Sequence, residues 1–247
     1  MVNIPTLTLN DGHPLPVMGL GTYQIRGGAG HQQILAAIKS GYRLIDSATN
    51  YDNEGIVGEA IRQSGVPRSE LFITSKLPGK YHGYDDALMA IQESLARMGL
   101  DYFDLFIIHW PLPKRDKYVE AWQALVTAQK LGLIRSIGVS NFEPEHLDRI
   151  IDATGVKPAV NQIEIHPYWV QTDNVQANID RGITVEVRLV VVVAPCANQS
   201  FKQLLTSTAR RQVKLSPVGI STAVLSQFCV QPTRFTNAIM RRSLISS

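Results

Sequence analysis

The chain has 247 residues, 45% of them apolar, with 24 Lys and Arg against 21 Asp and Glu for a formal charge of +3. That length and composition fit one large α/β domain or two small ones. Two cysteines, Cys196 and Cys229, make neither a disulfide framework nor a zinc site, and no window reaches the roughly 18 uncharged apolar residues of a membrane span.

In chain order, LTLNDGHPLPVMGLGT (7–22) reads as a hairpin with Asp11-Gly12 at its turn, followed by a strand ending in Gly-Leu-Gly-Thr. Helical periodicity and closing glycines predict helices over 31–41, 53–65, 84–100, 116–133, 144–155 and 172–182. Short apolar runs between them predict strands: YRLIDSA (42–48), LFITSKL (71–77), YFDLFIIHW (102–110), IRSIGVS (134–140), AVNQIEI (159–165) and ITVEVRLVVVV (183–193). Seven strands and six helices in strict alternation imply a parallel sheet with right-handed crossovers. Closed into a (β/α)8 TIM barrel, which takes about 250 residues, the chain forms a single domain over 1–247. An eighth strand and two more helices would have to come from 194–247, where only SFKQLLTSTARRQ (200–212) has helical spacing.

Charge divides the chain. Residues 1–186 hold every acidic residue and carry −5, whereas 187–247 hold no acid and eight Lys and Arg, for +8. This marks the C-terminal quarter as anomalous.

Polar residues collect where the strands end, on the face that carries the chemistry of barrel enzymes. Asp46, Tyr51, Lys76 and His109 form one catalytic set able to give a proton to a carbonyl oxygen. A free phenol, with a pKa of about 10, is a poor acid at neutral pH. A nearby ammonium favours the phenolate, so Lys76 would activate Tyr51, Asp46 would hold Lys76 charged, and His109 would orient the substrate oxygen. No side chain stores a hydride, which implies a nicotinamide cofactor. Taken singly each residue has a plainer reading: a surface ion pair for Asp46 or Lys76, helix-start packing for Tyr51, a satisfied strand-end histidine for His109. Their conjunction favours chemistry. Glu164 and His166 offer two metal-ligating groups without a third, so no metal site is expected.

The segments LTLNDGHPLPVMGLGTY, GYRLIDSATNYDNEGIVGEAI, LFITSKL, LDYFDLFIIHWPLP, GLIRSIGVSNF and AVNQIEIHPY resemble, in order, the motifs of the aldo-keto reductase family, closest to its short bacterial members similar to 2,5-diketo-gluconate and methylglyoxal reductases. The resemblance covers about residues 5–186. It implies a (β/α)8 barrel, NADPH, Tyr51 as acid, Lys76 and Asp46 as its tuners and His109 as orienter. It further implies Ser140, Asn141 and Gln162 around the nicotinamide carboxamide, Gly21, Thr22 and Tyr23 in the first loop, and Tyr23 and Trp110 as walls of the substrate pocket. Ser140-Asn141 also reads as an N-cap for the helix beginning PEHL. A small carbonyl substrate, a monomeric state and a cytoplasmic location are expected, with no signal peptide in MVNIPTLTLN and neither nucleic acid nor membrane as partner.

After Glu186 the resemblance fails. The family's Trp/Tyr-Ser-Pro-Leu loop, whose ring stacks on the nicotinamide, and its Ile-Pro-Lys-Ser element for the adenosine phosphate are replaced by VRLVVVVAPC and SPVGISTAVLSQFC. Regrouping the codons permitted by VGISTAVLSQF (218–228) yields Trp-His-Phe-Asp-Ser-Gly-Phe-Val-Ala-Ile, similar to the family's C-terminal pattern, so small insertions or deletions in the coding DNA are expected to have scrambled about 187–230. QPTRFT (231–236) returns to frame, with Arg234 as the phosphate contact. Expected consequences are sheet edges near strands 1 and 6–7 that are unpaired or badly paired, weak cofactor binding and impaired catalysis. A non-catalytic binding role, as in relatives that serve as channel subunits, is opposed by the intact tetrad. Nucleic-acid binding through the basic tail is opposed by the scatter of its charges.

Overall fold

In the computed structural model, residues 4–166 and 169–188 are described, together with the backbone of 225–230. A small antiparallel hairpin, β1 (Thr6–Thr8) and β2 (Pro14–Pro16), precedes the barrel. Seven strands then alternate with six helices: β3 (Met18–Gly21), α1 (Gly27–Ser40), β4 (Leu44–Asp46), α2 (Glu54–Gln63), β5 (Phe72–Leu77), α3 (Tyr84–Met98), β6 (Phe103–Ile108), α4 (Tyr118–Lys130), β7 (Ile134–Ser140), α5 (Pro144–Thr154), β8 (Val160–Glu164), α6 (Thr172–Asp180) and β9 (Thr184–Arg188). Neighbours from β3 to β9 pair in parallel.

The barrel is closed by β10 (Leu225–Val230), which lies between β9 and β3. Of the two outcomes expected for these edges, unpaired or badly paired, the first does not occur, because both are hydrogen-bonded. The physical reason is that any extended segment can satisfy two exposed rows of backbone donors and acceptors. Its direction is the anomaly, since β10 runs antiparallel to both neighbours, where a (β/α)8 barrel has eight parallel strands. The predicted helix over 200–212, the run 189–193 and Arg234 lie outside the described residues.

Strand alternation sorts the side chains into two environments. Outward residues such as Ile45, Ile73, Phe106, Ile108, Ile137 and Val139 pack against the helices in the main hydrophobic core. Inward residues Leu44, Phe72, Leu105 and Ile107 join Leu7, Leu9 and Leu15 of the hairpin in a second cluster that fills the bottom of the barrel. Asn10 fastens this plug by donating from Nδ2 to the carbonyls of Pro158 and Gly182, at 2.8 and 3.1 Å. At Gly58 in α2 a Cβ would stand 2.0 Å from the Met98 carbonyl oxygen, so glycine lets α2 reach the end of α3.

Most element ends fall within a few residues of the sequence reading, and two departures have a clear local cause. α1 begins at Gly27 rather than at 31, because its first turn, Gly-Gly-Ala-Gly, has no apolar periodicity to announce it. The residue capping α5 is Glu143, whose backbone N–H donates to His146 Nδ1 at 3.1 Å. Ser140 and Asn141 are not its N-cap, because they are drawn back onto β8: Ser140 Oγ and the Asn141 N–H both donate to the Gln162 carbonyl, at 2.8 and 3.0 Å.

Candidate active site

Above the apolar plug the inward positions turn polar. β4 ends at Asp46, β5 carries Lys76 near its end, and His109 follows β6 directly. Lys76 is wholly buried, and its Nζ donates to both Asp46 oxygens, at 2.6 and 2.5 Å, and to the Ser47 carbonyl at 2.8 Å. Burial opposes its charge, but the Asp46 carboxylate, with Tyr51 and Glu186, more than offsets that, so the Lys76 pKa lies above the ordinary lysine value. The site thus holds a permanent ammonium.

Tyr51 closes a 3-10 turn over Thr49–Tyr51, in the polar segment that follows β4. The turn leaves its ring 5.3 Å (centroid) from Lys76 Nζ. Tyr23 meets that ring edge-on at 5.2 Å and His109 at 6.0 Å. Burial, with the nearby charges of Lys76 and Arg188, pushes the His109 pKa down to about 3, so the imidazole is neutral at physiological pH. Its Nδ1 is buried without a hydrogen-bond partner. The four residues therefore converge as the sequence reading expected.

The surrounding loops are cross-linked. Gly21 lies opposite Asp46 in the β3–β4 register. Thr22 donates to the Asp46 carbonyl from N–H and Oγ1, at 2.9 and 3.1 Å. Asn141 takes φ of 60°, a left-handed conformation that Asn tolerates. From there its Nδ2 reaches the His109 carbonyl at 3.0 Å and Ser140 Oγ at 2.9 Å. Gln162 is fully buried, yet neither Oε1 nor Nε2 has a partner. Tyr23 and Trp110 are 53% and 46% exposed, at the mouth.

Three residues were missed. Asn53 caps α2, as the helix start expected from the sequence, but its buried side chain also donates to the carbonyls of Thr22 and Ile25, at 2.8 and 3.0 Å, while Ser47 Oγ donates to its Oδ1 at 2.8 Å. Ser47 thereby links Lys76 to the first loop. Glu186, buried inside the barrel, is the third. Its one signal was a lone acid between apolar residues in the strand ITVEVR. Glu164 and His166, which suggested a metal, stand 3.9 Å apart, and Glu164 pairs with Arg188 at 3.1 Å. Among the described residues no group of three or more His, Cys, Asp or Glu could hold a metal ion, and no helix is long and apolar enough to cross a membrane.

Comparison with known proteins agrees with the barrel fold. The sequence profile of the Aldo/keto reductase family matches residues 17–203. A 2,5-diketo-D-gluconic acid reductase B from Corynebacterium sp. is 50% identical over 186 residues, which cover 75% of this chain and 67% of the relative. The crystal structure of an aldo/keto reductase from Brucella melitensis superposes with a TM-score of 0.72 at 42% identity, covering 74% of this chain and 72% of that one. A Bombyx mori aldo-keto reductase in complex with NADP superposes with a TM-score of 0.75 at 36% identity, covering 85% and 76%. The chain spans about two thirds of the length of the curated relatives it matches.

Proposed function

Because the chain belongs to the aldo/keto reductase family, we propose that it reduces aldehydes or ketones to alcohols with NADPH, acting as a cytoplasmic monomer on small carbonyl substrates. The observation that carries this reading is the buried Asp46–Lys76 pair placed against the Tyr51 ring. A nicotinamide cofactor, when bound, supplies the hydride.

The residues present suit the nicotinamide end of such a cofactor. Gln162 offers a buried amide donor and acceptor that are both unpartnered, the complement of a carboxamide, with Ser140 and Asn141 beside it. Gly21 and Thr22 form the adjoining loop. For the phosphate-bearing end we assign Arg234, which lies outside the described residues.

Tyr51 then gives its proton to the carbonyl oxygen. The Lys76 ammonium stabilises the negative charge left on the phenol oxygen, and Asp46 keeps that ammonium in place. Neutral His109 holds the substrate oxygen by a hydrogen bond. Tyr23 and Trp110 wall the pocket, and their partial exposure suits substrate contact.

A second reading has support in the antiparallel seating of β10: the tetrad is complete but cofactor binding is impaired, since the family's contacts after Glu186 are missing. One pair of assays separates the readings. NADPH consumption with an aldehyde should drop by about 10²–10⁴-fold in Tyr51→Phe, with fluorescence titration showing NADPH bound equally by both proteins. Wild-type turnover that Tyr51→Phe matches would overturn the assignment; saturation only at high NADPH, with Tyr51-dependent turnover, would establish the impaired form.

A further inference from the structure

Four carboxylic side chains are buried among the described residues: Asp46, Glu54, Asp104 and Glu186. Three have clear partners. Asp46 holds Lys76. Glu54 accepts from Ser75, Ser94 and Arg97. Asp104 pairs with Arg68 and Arg135 and accepts from the Ile73 N–H. Glu186 differs, because neither of its oxygens has a hydrogen-bond partner, although the residue is completely buried.

Its placement follows from strand alternation. Val185 and Val187 point outward and pack with Ile163 and Val175 beneath α6, which sends Glu186 into the barrel. There it lies opposite Gln162 in the β8–β9 register, and Gln162 is also buried with both polar atoms unpartnered. Among the described residues, Gln162 is the one hydrogen-bonding side chain set against the Glu186 carboxyl, close enough to favour its charged form but short of a well-formed hydrogen bond, so the two groups are expensive for folding, each regaining only part of the hydration it loses. That cost buys no stability, and it falls in the layer that holds Lys76.

We propose that Glu186 is a further positioning residue for the reaction, the carboxyl inside the barrel that orients Gln162 and sets the charge felt by the Lys76 ammonium. The proposal rests on the reductase reading above. Burial, then the Asp46 carboxylate, pushes the Glu186 pKa up to about 8, tempered by Lys76 and Gln162. At neutral pH it is an uncharged acid, and the interior holds one balanced pair, Asp46 and Lys76. Arg188, the next inward residue on the same strand, is occupied by Glu164, and His109 is neutral. When Glu186 ionises, the layer gains a net negative charge that opposes negative charge on the Tyr51 oxygen. Proton donation from Tyr51 should therefore slow as pH rises through about 8.

Infrared spectroscopy of wild type and Glu186→Gln, paired with kcat–pH profiles, tests this. The wild type should show a protonated-carboxyl stretch at pH 7 that bleaches through about pH 8 and is missing from Glu186→Gln. Measured against its own rate at pH 7, the variant should lose the alkaline fall in kcat, which a merely structural role would leave in place. Identical infrared spectra, or superimposable profiles, would overturn the proposal. Circular dichroism checks that the variant folds, and Glu186→Met, which has no titrating group, should show the same flattened profile. A wild type that has the stretch but reduces no carbonyl at any pH would overturn the reductase reading and this role with it, while leaving Glu186 an uncharged carboxyl.

Discussion

The lower and upper halves of the barrel interior are built from the same strands by the same alternation, yet they do opposite things. β4 contributes Leu44 below and Asp46 above, β5 contributes Phe72 below and Lys76 above, and β6 contributes Leu105 and Ile107 below His109. The lower residues close around the hairpin as a dry plug. The upper ones hold buried charge and orphaned polar groups that a fold selected for stability alone would avoid. A move of two to four residues along a strand thus separates packing from chemistry, and substitutions at the two levels should fail in different ways.

The largest effect is expected at Lys76. Lys76→Met leaves the Asp46 carboxylate buried and uncompensated, and the loss of one partner from a buried pair costs about 3–5 kcal/mol. Urea unfolding should show that loss, and reductase activity should vanish with it. Asp46→Asn with Lys76→Met should recover stability without recovering activity.

Next comes the plug. Leu105→Ala removes a fully buried side chain and should cost about 2–5 kcal/mol. The reaction itself should persist at temperatures where the variant stays folded, because the variant leaves the upper layer intact. A Leu105→Ala protein that is stable but inactive would blur the division between the two halves.

A third effect, gradual rather than all-or-none, is the pH dependence of stability from Glu186. Its folded pKa of about 8 lies above the ordinary 4.5, so the stability it contributes is fully present below 4.5 and is lost as pH rises towards 8. Glu186→Gln should therefore be more stable, relative to wild type, at pH 8 than at pH 4.5, as measured by denaturant midpoints at both values.

Much of this was legible in the sequence, for identifiable reasons. The seven parallel strands and six helices are long enough to show their period, and the tetrad stands where apolar runs meet polar loops. Asn before Glu-Gly-Ile-Val has the look of a helix start, and Asn53 is indeed the N-cap of α2; nothing local signalled that its amide also satisfies loop carbonyls about thirty residues away in sequence. Glu186 was passed over because it was taken for the last acid before an anomalous tail, and only the register with Gln162 shows which way it faces. Closure by Leu225–Val230 carried no signal, since LSQFCV alternates weakly and nothing local to a strand encodes whether it will run parallel or antiparallel to its neighbours.

The central claim is that the polar upper layer performs carbonyl reduction. It is tested most directly by incubating the protein with NADPH deuterated at the transferable C4 position and an aldehyde, then examining the alcohol by mass spectrometry. The account predicts deuterium on the carbinol carbon in wild type, lost in Tyr51→Phe. An aldehyde returned unlabelled and unreduced at saturating NADPH would contradict it.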